Sequence, residues 1–95
     1  MIRQTVHFSG RVQGVGFRYT TANVARRFTV AGYVQNLPDG RVRVVVESES
    51  SEVAAFLDAV RERMSRHVER DTVDESEATG EFGRPDAPDT FTVRY

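Results

Sequence analysis

Residues 2–28 read IRQTVHFSGRVQGVGFRYTTANVARRF, and this stretch decides the fold. Apolar and polar side chains alternate from Ile2 to Ser9, which predicts a strand with one buried face. The glycine-rich segment that follows predicts a loop. From Phe17 the apolar period becomes that of a helix, which predicts a helix from Phe17 to Phe28 with one apolar stripe. The stripe consists of Phe17, Thr21, Val24, Ala25 and Phe28.

The middle of the chain predicts a hairpin followed by a second helix. Tyr33 to Gln35 is β-prone, residues 36–40 have the turn sequence NLPDG, and Arg41 to Glu47 has the composition of a strand. Ser50 or Ser51 is expected to cap the second helix, with an acid in its first turn. The apolar stripe of that helix consists of Val53, Phe56, Leu57, Val60 and Met64.

The last third of the chain predicts an edge strand, a loop and a short final strand. Residues 67–77 are rich in charge, which suits an edge strand that resists aggregation. Val68 and Val73 do not share a parity, so we expect a bulge or a register change. Residues 78–89 predict a loop, and residues 91–95 alternate as a last strand.

The order of these elements is β-α-β-β-α-β with a short fifth strand. Two helices with one apolar stripe each must cover one face of a mostly antiparallel sheet. The first strand, first helix and second strand form a right-handed crossover. The sequence therefore predicts a ferredoxin-like α+β sandwich. Its length predicts a single domain over residues 1–95.

The composition excludes several kinds of chemistry. The chain has no cysteine, so disulfides, zinc–thiolate sites and thiol nucleophiles are excluded. His7 and His67 are the only histidines, which is too few for a multi-histidine metal site. All 13 basic side chains are arginine, so a Schiff-base lysine and the phosphate-loop lysine are excluded as well. We therefore expect neither a metal nor a cofactor.

Charge is divided unevenly along the chain. Residues 1–46 carry a net charge of +6, with Asp39 as their only acid, and residues 47–95 carry −7. This asymmetry indicates either that the first half meets an anion or that the two halves attract each other. Neither a signal peptide nor a long apolar run is evident, which predicts a cytoplasmic protein with no membrane contact.

One loop has the features of an anion-binding site. Parallel first and second strands end at the same edge of the sheet, so Gly10 to Arg18 and Asn36 are expected there together. Gly14 and Gly16 allow backbone N–H groups to turn inward, and Arg18 stands at the positive end of the first helix. From local physics alone, a plain tight turn is an equal alternative. Asn36 is likewise most often only a turn residue in such a context.

Two motifs together resemble the acylphosphatase family. The segment GRVQGVGFR at residues 10–18 is similar to that family's phosphate-loop signature, and GYVQN at residues 32–36 is similar to the signature that carries its catalytic asparagine. The resemblance implies a ferredoxin-like sandwich that hydrolyses acyl phosphates to a carboxylate and inorganic phosphate. It implies catalytic roles for Arg18, which binds phosphate, and Asn36, which orients water. The implied phosphate-binding loop is Gln13, Gly14, Val15, Gly16, Phe17 and Arg18.

The sequence departs from the family pattern at two places. Leu37 stands where the family often has threonine, so a hydroxyl is missing beside Asn36. Residues 64–77 are polar and acidic where many members have a Gly-Pro-Pro segment and an apolar strand. The second departure concerns the start of the fourth strand rather than the site.

The chemistry that the resemblance implies agrees with the residue inventory. An acyl phosphate loses a carboxylate of low pKa, so no general acid is needed. The expected partner is a small acyl phosphate, with phosphate or sulfate as a competing ligand, and the charged fourth strand favours a monomer. Two other functions stay open. An RNA-binding module is disfavoured because the third strand has no aromatic residue, and a non-enzymatic anion sensor would use the same loop.

Overall fold

The computed structural model describes residues 1–95 and contains two helices on one five-stranded sheet. The elements are β1 (Ile2–Gly10), α1 (Phe17–Ala25), β2 (Ala31–Asn36), β3 (Val42–Ser48), α2 (Ser50–Arg63), β4 (Val68–Glu77) and β5 (Phe91–Arg94). The sheet order is β4-β1-β3-β2-β5, with β5 parallel to β2 and every other neighbouring pair antiparallel. This arrangement confirms the predicted ferredoxin-like α+β sandwich.

The core lies between the helices and one face of the sheet. Val6 and Phe8 of β1 are fully buried, as the alternation predicted. The Phe8 ring also contacts Phe17 at the start of α1, with 5.0 Å between centroids. The predicted stripe of α2 is buried at every position, which explains why the helix packs on the sheet. Neither helix has the length and hydrophobicity that a membrane span requires.

The first helix is shorter than predicted. It ends at Ala25, and residues 26–28 continue as tighter turns in which each N–H group donates three residues back. The chain tightens because Val30 is already buried at the entrance to β2. Phe28 nevertheless reaches the core, where its ring lies 6.0 Å from that of Phe56. The predicted apolar stripe is therefore correct, and only its helical end is wrong.

The start of α2 also differs from the prediction. Ser50 is the first helical residue, and Glu49 occupies the capping position in an extended conformation without a side-chain cap. The nearby Ser48 hydroxyl is engaged elsewhere, because it donates to the Thr29 carbonyl at 2.5 Å. Since β3 ends at Ser48, one residue is left to turn the chain into the helix.

The edge strand β4 has the register change that the sequence predicted. Ser9 pairs with Arg70, while the next residue, Gly10, pairs with Val68. Glu69 is therefore the extra residue of a bulge. Further along, Asp71 accepts two hydrogen bonds from the Arg61 guanidinium of α2, at 3.1 Å each. The edge strand is thus anchored both to β1 and to a helix.

A buried carboxylate anchors the loop between β4 and β5 to the face of the sheet that carries no helix. Glu47 accepts hydrogen bonds from the Arg3 guanidinium at 2.7 Å and from the Thr79 and Gly80 backbone N–H groups at 2.9 and 3.0 Å. Burial alone opposes ionisation, but these donors outweigh it and lower the pKa of Glu47. Phe82 from the same loop packs on the Tyr33 ring, with 5.7 Å between centroids.

Candidate active site

The topology brings the two predicted motifs to one edge of the sheet. Strands β1 and β2 both run antiparallel to the intervening β3, so they are parallel to each other. The loop after β1 and the last residue of β2, Asn36, therefore lie side by side. A cavity of about 220 Å³ opens there, and its wall includes Arg18 and Asn36. The other lining residues are Val12, Gly14, Gly16, Phe17, Tyr19, Val93 and Tyr95.

The loop offers unpaired backbone donors. Gly14 and Gly16 both have a φ of +77°, a left-handed conformation that L side chains rarely adopt. As a consequence, no backbone N–H group from Gln13 to Tyr19 donates to an acceptor within the protein; the first that does is Thr20, to the Gly16 carbonyl. The first N–H groups of any helix lack internal partners. Here the glycine loop adds more free N–H groups before the helix begins. Such an arrangement of N–H groups binds oxyanions in other proteins.

Arg18 is half-buried and held by the end of β5. Its Nη1 donates to the Arg94 carbonyl at 3.3 Å, and its guanidinium lies 4.6 Å from the centroid of the Tyr95 ring. Sequence reasoning missed both partners. The alternation of residues 91–95 predicts a strand, but it does not indicate that this strand pairs with β2 and ends beside α1.

The arginines of the first half are mostly free of carboxylates. Arg3 is the only one that pairs with acids of the second half, Glu47 and Glu81, while Arg41 pairs with the local Asp39. The remaining five form no ion pair: Arg11, Arg18, Arg26, Arg27 and Arg43. Attraction between the two halves therefore accounts for only one of these arginines, and the positive potential around the loop stays largely unneutralised.

Asn36 takes no part in the turn that follows it. That turn is closed by Leu37 N–H donating to the Arg41 carbonyl at 2.8 Å, and by Gly40 N–H donating to the Leu37 carbonyl at 3.1 Å. Asp39 braces it by accepting from the Arg41 N–H group at 3.1 Å, which is the main reason why the pKa of Asp39 is lowered. The Asn36 Oδ1 atom is buried and accepts no hydrogen bond. A buried amide oxygen without a partner is costly in a purely structural role.

The other predicted loop residues differ in what their side chains do. Phe17 is buried in the core, so it offers the site only its backbone N–H group. Val15 is exposed. The Gln13 side chain turns away from the loop and donates to the Leu37 and Arg41 carbonyls, at 2.8 and 3.0 Å. Sequence reasoning assigned Gln13 only a place in the loop and missed this contact.

Two further observations concern metal ions and the other large cavity of the protein. No three His, Asp or Glu side chains are grouped in a way that would hold a metal ion. A larger cavity of about 590 Å³ lies between the start of α2 and the loop before β5, but it is lined by the carboxylates of Glu49, Glu52 and Asp86. Its only arginine, Arg84, is already paired with Asp86. Of these two cavities, the one beside Arg18 is the one suited to an anion.

Fold and site together define a small α+β domain that presents free N–H groups and an unpaired arginine at the start of a helix. Comparison with known proteins specifies the class further. The acylphosphatase family model matches residues 4–92. An acylphosphatase of Syntrophus aciditrophicus is 45% identical over 100% of this chain and 94% of its own, and one of Geotalea uraniireducens is 42% identical over 99% and 98%.

A solved structure agrees with these sequence matches. The crystal structure of acylphosphatase from Bacillus subtilis superposes with a TM-score of 0.82 and 31% identity, over 100% of both chains. The chain therefore belongs to the acylphosphatase family of enzymes. This confirms the resemblance that the two motifs carried.

Proposed function

We propose that the protein hydrolyses the carboxyl–phosphate bond of acyl phosphates, releasing a carboxylate and inorganic phosphate without a metal ion. The observation that carries this proposal is the run of unpaired backbone N–H groups from Gln13 to Tyr19, beside a cavity shared by Arg18 and Asn36. Donors of this kind fit a phosphoryl group, which presents three oxygens that share its negative charge.

The loop and Arg18 bind the phosphoryl group. Its equatorial oxygens accept hydrogen bonds from the loop N–H groups and from the planar guanidinium of Arg18, which suits two oxygens at once. Because the N–H groups are part of the backbone and the guanidinium is held by the Arg94 carbonyl, these donors stabilise the charge of the transition state with little reorganisation. Arg18 also lacks a carboxylate partner that would compete with the substrate.

Asn36 orients the attacking water. Its side-chain amide offers both a hydrogen-bond donor and an acceptor to the water, which together fix the direction of attack on phosphorus. An amide is not basic enough to remove the proton, so the proton passes to a phosphoryl oxygen of the substrate. The P–O bond to the leaving group breaks as the new one forms. The leaving carboxylate is stable as an anion and needs no acid.

The substrate is a freely diffusing small molecule, and we propose that the protein acts on it as a cytoplasmic monomer. The edge strand β4 supports the monomer, because its exposed residues include Glu69, Arg70, Asp74, Glu75 and Glu77. Recognition of RNA on the sheet is disfavoured. Tyr33, the aromatic residue on the face without helices, is buried beneath Arg94 and Phe82 and presents no surface for stacking.

The test is the hydrolysis of benzoyl phosphate, followed by its loss of absorbance. The purified protein is compared with Arg18→Lys and with Arg27→Lys, which alters an exposed arginine that forms no ion pair. We expect turnover by the wild type, a loss of about 10²–10³ in kcat/KM for Arg18→Lys, and no change for the control. If the wild-type protein binds phosphate but does not hydrolyse benzoyl phosphate, it is an anion-binding protein and the proposed activity is wrong.

A further inference from the structure

The Gln13 side chain joins the two parts of the site. Its Nε2 atom donates to the Leu37 carbonyl at 2.8 Å and to the Arg41 carbonyl at 3.0 Å. No other hydrogen bond connects the loop at residues 11–16 to the turn at residues 37–41. The loop and the turn are separated by more than 20 residues of sequence. Their relative position at the sheet edge therefore depends on this one amide for directional contacts.

The two acceptors are the carbonyls that close the turn directly after Asn36. The Leu37 carbonyl also accepts from Gly40 N–H, and the Arg41 carbonyl also accepts from Leu37 N–H. Both carbonyls therefore converge on one point, where a primary amide can use its two hydrogens at once. A glutamate of the same length has no hydrogen to donate when it is ionised, and an alanine cannot reach.

Gln13 is not needed to hold the core together. Its side chain is exposed, whereas the neighbouring Val12 is fully buried and anchors the loop to the sheet. Gly14 and Gly16 follow immediately, and glycines give the loop many alternative conformations. The hydrogen bonds of Gln13 therefore fix where this segment lies relative to the turn after Asn36.

We infer that Gln13 is a positioning residue, which fixes the distance and angle between the anion-binding loop and Asn36. This inference rests on the proposed function, in which the loop holds phosphorus and Asn36 holds the water. In-line attack requires the water to lie opposite the leaving group, and a displacement of about 1 Å costs up to about 10²-fold in rate. Loss of the Gln13 contacts leaves each part intact but lets them move relative to each other.

The first experiment separates positioning from binding. Gln13→Ala and Gln13→Glu are compared with Gln4→Ala, which removes another glutamine hydrogen bond, to Glu75, at a half-buried position in β1. We expect kcat to fall about 10-fold to 100-fold in both Gln13 variants while the phosphate inhibition constant stays within about 2-fold. Gln4→Ala should match the wild type in both quantities.

A pH profile adds a measurement that a purely structural role of Gln13 would not change. A protonated glutamic acid regains one O–H donor. The kcat of Gln13→Glu, relative to that of the wild type, should therefore rise as the pH falls below about 5, towards the ordinary glutamate pKa. Gln13→Ala should show no such recovery.

Hydrogen exchange tests the contact without relying on catalysis. The N–H groups of Leu37 and Gly40 should exchange faster in Gln13→Ala than in the wild type, and those of β1 should not change. If the wild type hydrolyses no acyl phosphate but this difference is seen, the proposed function fails and the contact stands. The inference is overturned if kcat is unchanged in both Gln13 variants, or if the phosphate inhibition constant weakens in proportion to kcat.

Discussion

The guanidinium carbon of Arg18 lies 4.6 Å from the centroid of the Tyr95 ring. A cation over an aromatic face is attracted to it, and a planar guanidinium is also oriented by it. Together with the hydrogen bond to the Arg94 carbonyl at 3.3 Å, this stacking holds the arginine over the cavity before any anion arrives. In the proposed function, substrate binding therefore costs less free energy for ordering the side chain.

Removal of the Tyr95 ring should weaken substrate binding. An exposed cation–π contact contributes about 0.5–1 kcal/mol, so we expect Tyr95→Ala to raise KM about 2-fold to 5-fold. Tyr95→Phe keeps the ring and should leave KM unchanged. Steady-state kinetics of both variants check this. Equal KM values for Tyr95→Ala and the wild type would show that the ring does not prepare Arg18.

Loss of the Asn36 amide should remove turnover and leave anion binding intact. Asn36→Ala lacks the groups that orient water, so we expect kcat to fall about 10²-fold or more, with an unchanged phosphate inhibition constant. Gln35→Ala is the matched control, because its side chain accepts from Arg43 on the other face of the sheet. A lower melting temperature with an unchanged kcat would make Asn36 a structural residue only.

Inorganic phosphate and sulfate should inhibit competitively. Both are tetrahedral anions that fit the same donors as the phosphoryl group. Added salt should also raise KM, because it screens the positive potential of the unpaired arginines. Initial rates at several substrate and phosphate concentrations decide the type of inhibition. A non-competitive pattern would place the anion outside the loop.

Activity should survive removal of divalent metal ions. The proposed mechanism assigns charge stabilisation to Arg18 and the loop N–H groups, and no group of three acidic or histidine side chains is present to hold an ion. We expect the rate after dialysis against EDTA to match the untreated enzyme. Loss of activity that magnesium restores would contradict the mechanism.

Replacement of the buried carboxylate should destabilise the fold in a pH-dependent way. Glu47→Gln loses charge-assisted hydrogen bonds, and we expect a cost of about 2 kcal/mol in the free energy of unfolding near neutral pH. Because folding lowers the pKa of Glu47 below its ordinary value of 4.5, this stability is present above that value and is lost as the pH falls through the folded pKa.

Urea unfolding at neutral and strongly acidic pH tests that expectation. The difference between Glu47→Gln and the wild type should shrink in acid. Glu75→Gln serves as the control, since Glu75 is exposed and accepts a single hydrogen bond, from Gln4 at 2.8 Å. It should change the stability by no more than about 0.5 kcal/mol. A constant difference at all pH values would mean that the Glu47 charge contributes nothing.

Much of the fold can be predicted from the sequence because its helices and strands depend on local periodicity. The alternation of β1 and the stripe of α2 each follow from which side chains must be buried, and the bulge of β4 follows from the parity break between Val68 and Val73. The placement of the loop and Asn36 at one edge follows from the parallel orientation of β1 and β2, which a single crossover helix implies. In each case the deciding information lies within one segment or one connection.

The rest depends on contacts between distant segments. The end of α1 moved from Phe28 to Ala25, since Val30 is already buried just before β2. The cap of α2 fell on Glu49 because β3 runs up to Ser48 and leaves one residue before the helix. The Tyr95 contact with Arg18 depends on the parallel pairing of β5 with β2, which alternation alone does not specify. The use of both Gln13 hydrogens depends on where the turn carbonyls lie.

Because strand β5 is short, we expect substrate binding to weaken on heating before the fold is lost. Four residues at the edge of the sheet pair with a single neighbour, and Arg94 and Tyr95 are exposed at the end of that strand. Such an edge opens at a lower free energy than the central strands. Since that end positions Arg18 in the proposed site, fraying weakens substrate binding while the sheet is still intact. We therefore expect KM to rise reversibly on heating at temperatures below the unfolding transition, which steady-state kinetics and thermal unfolding on the same preparation would show.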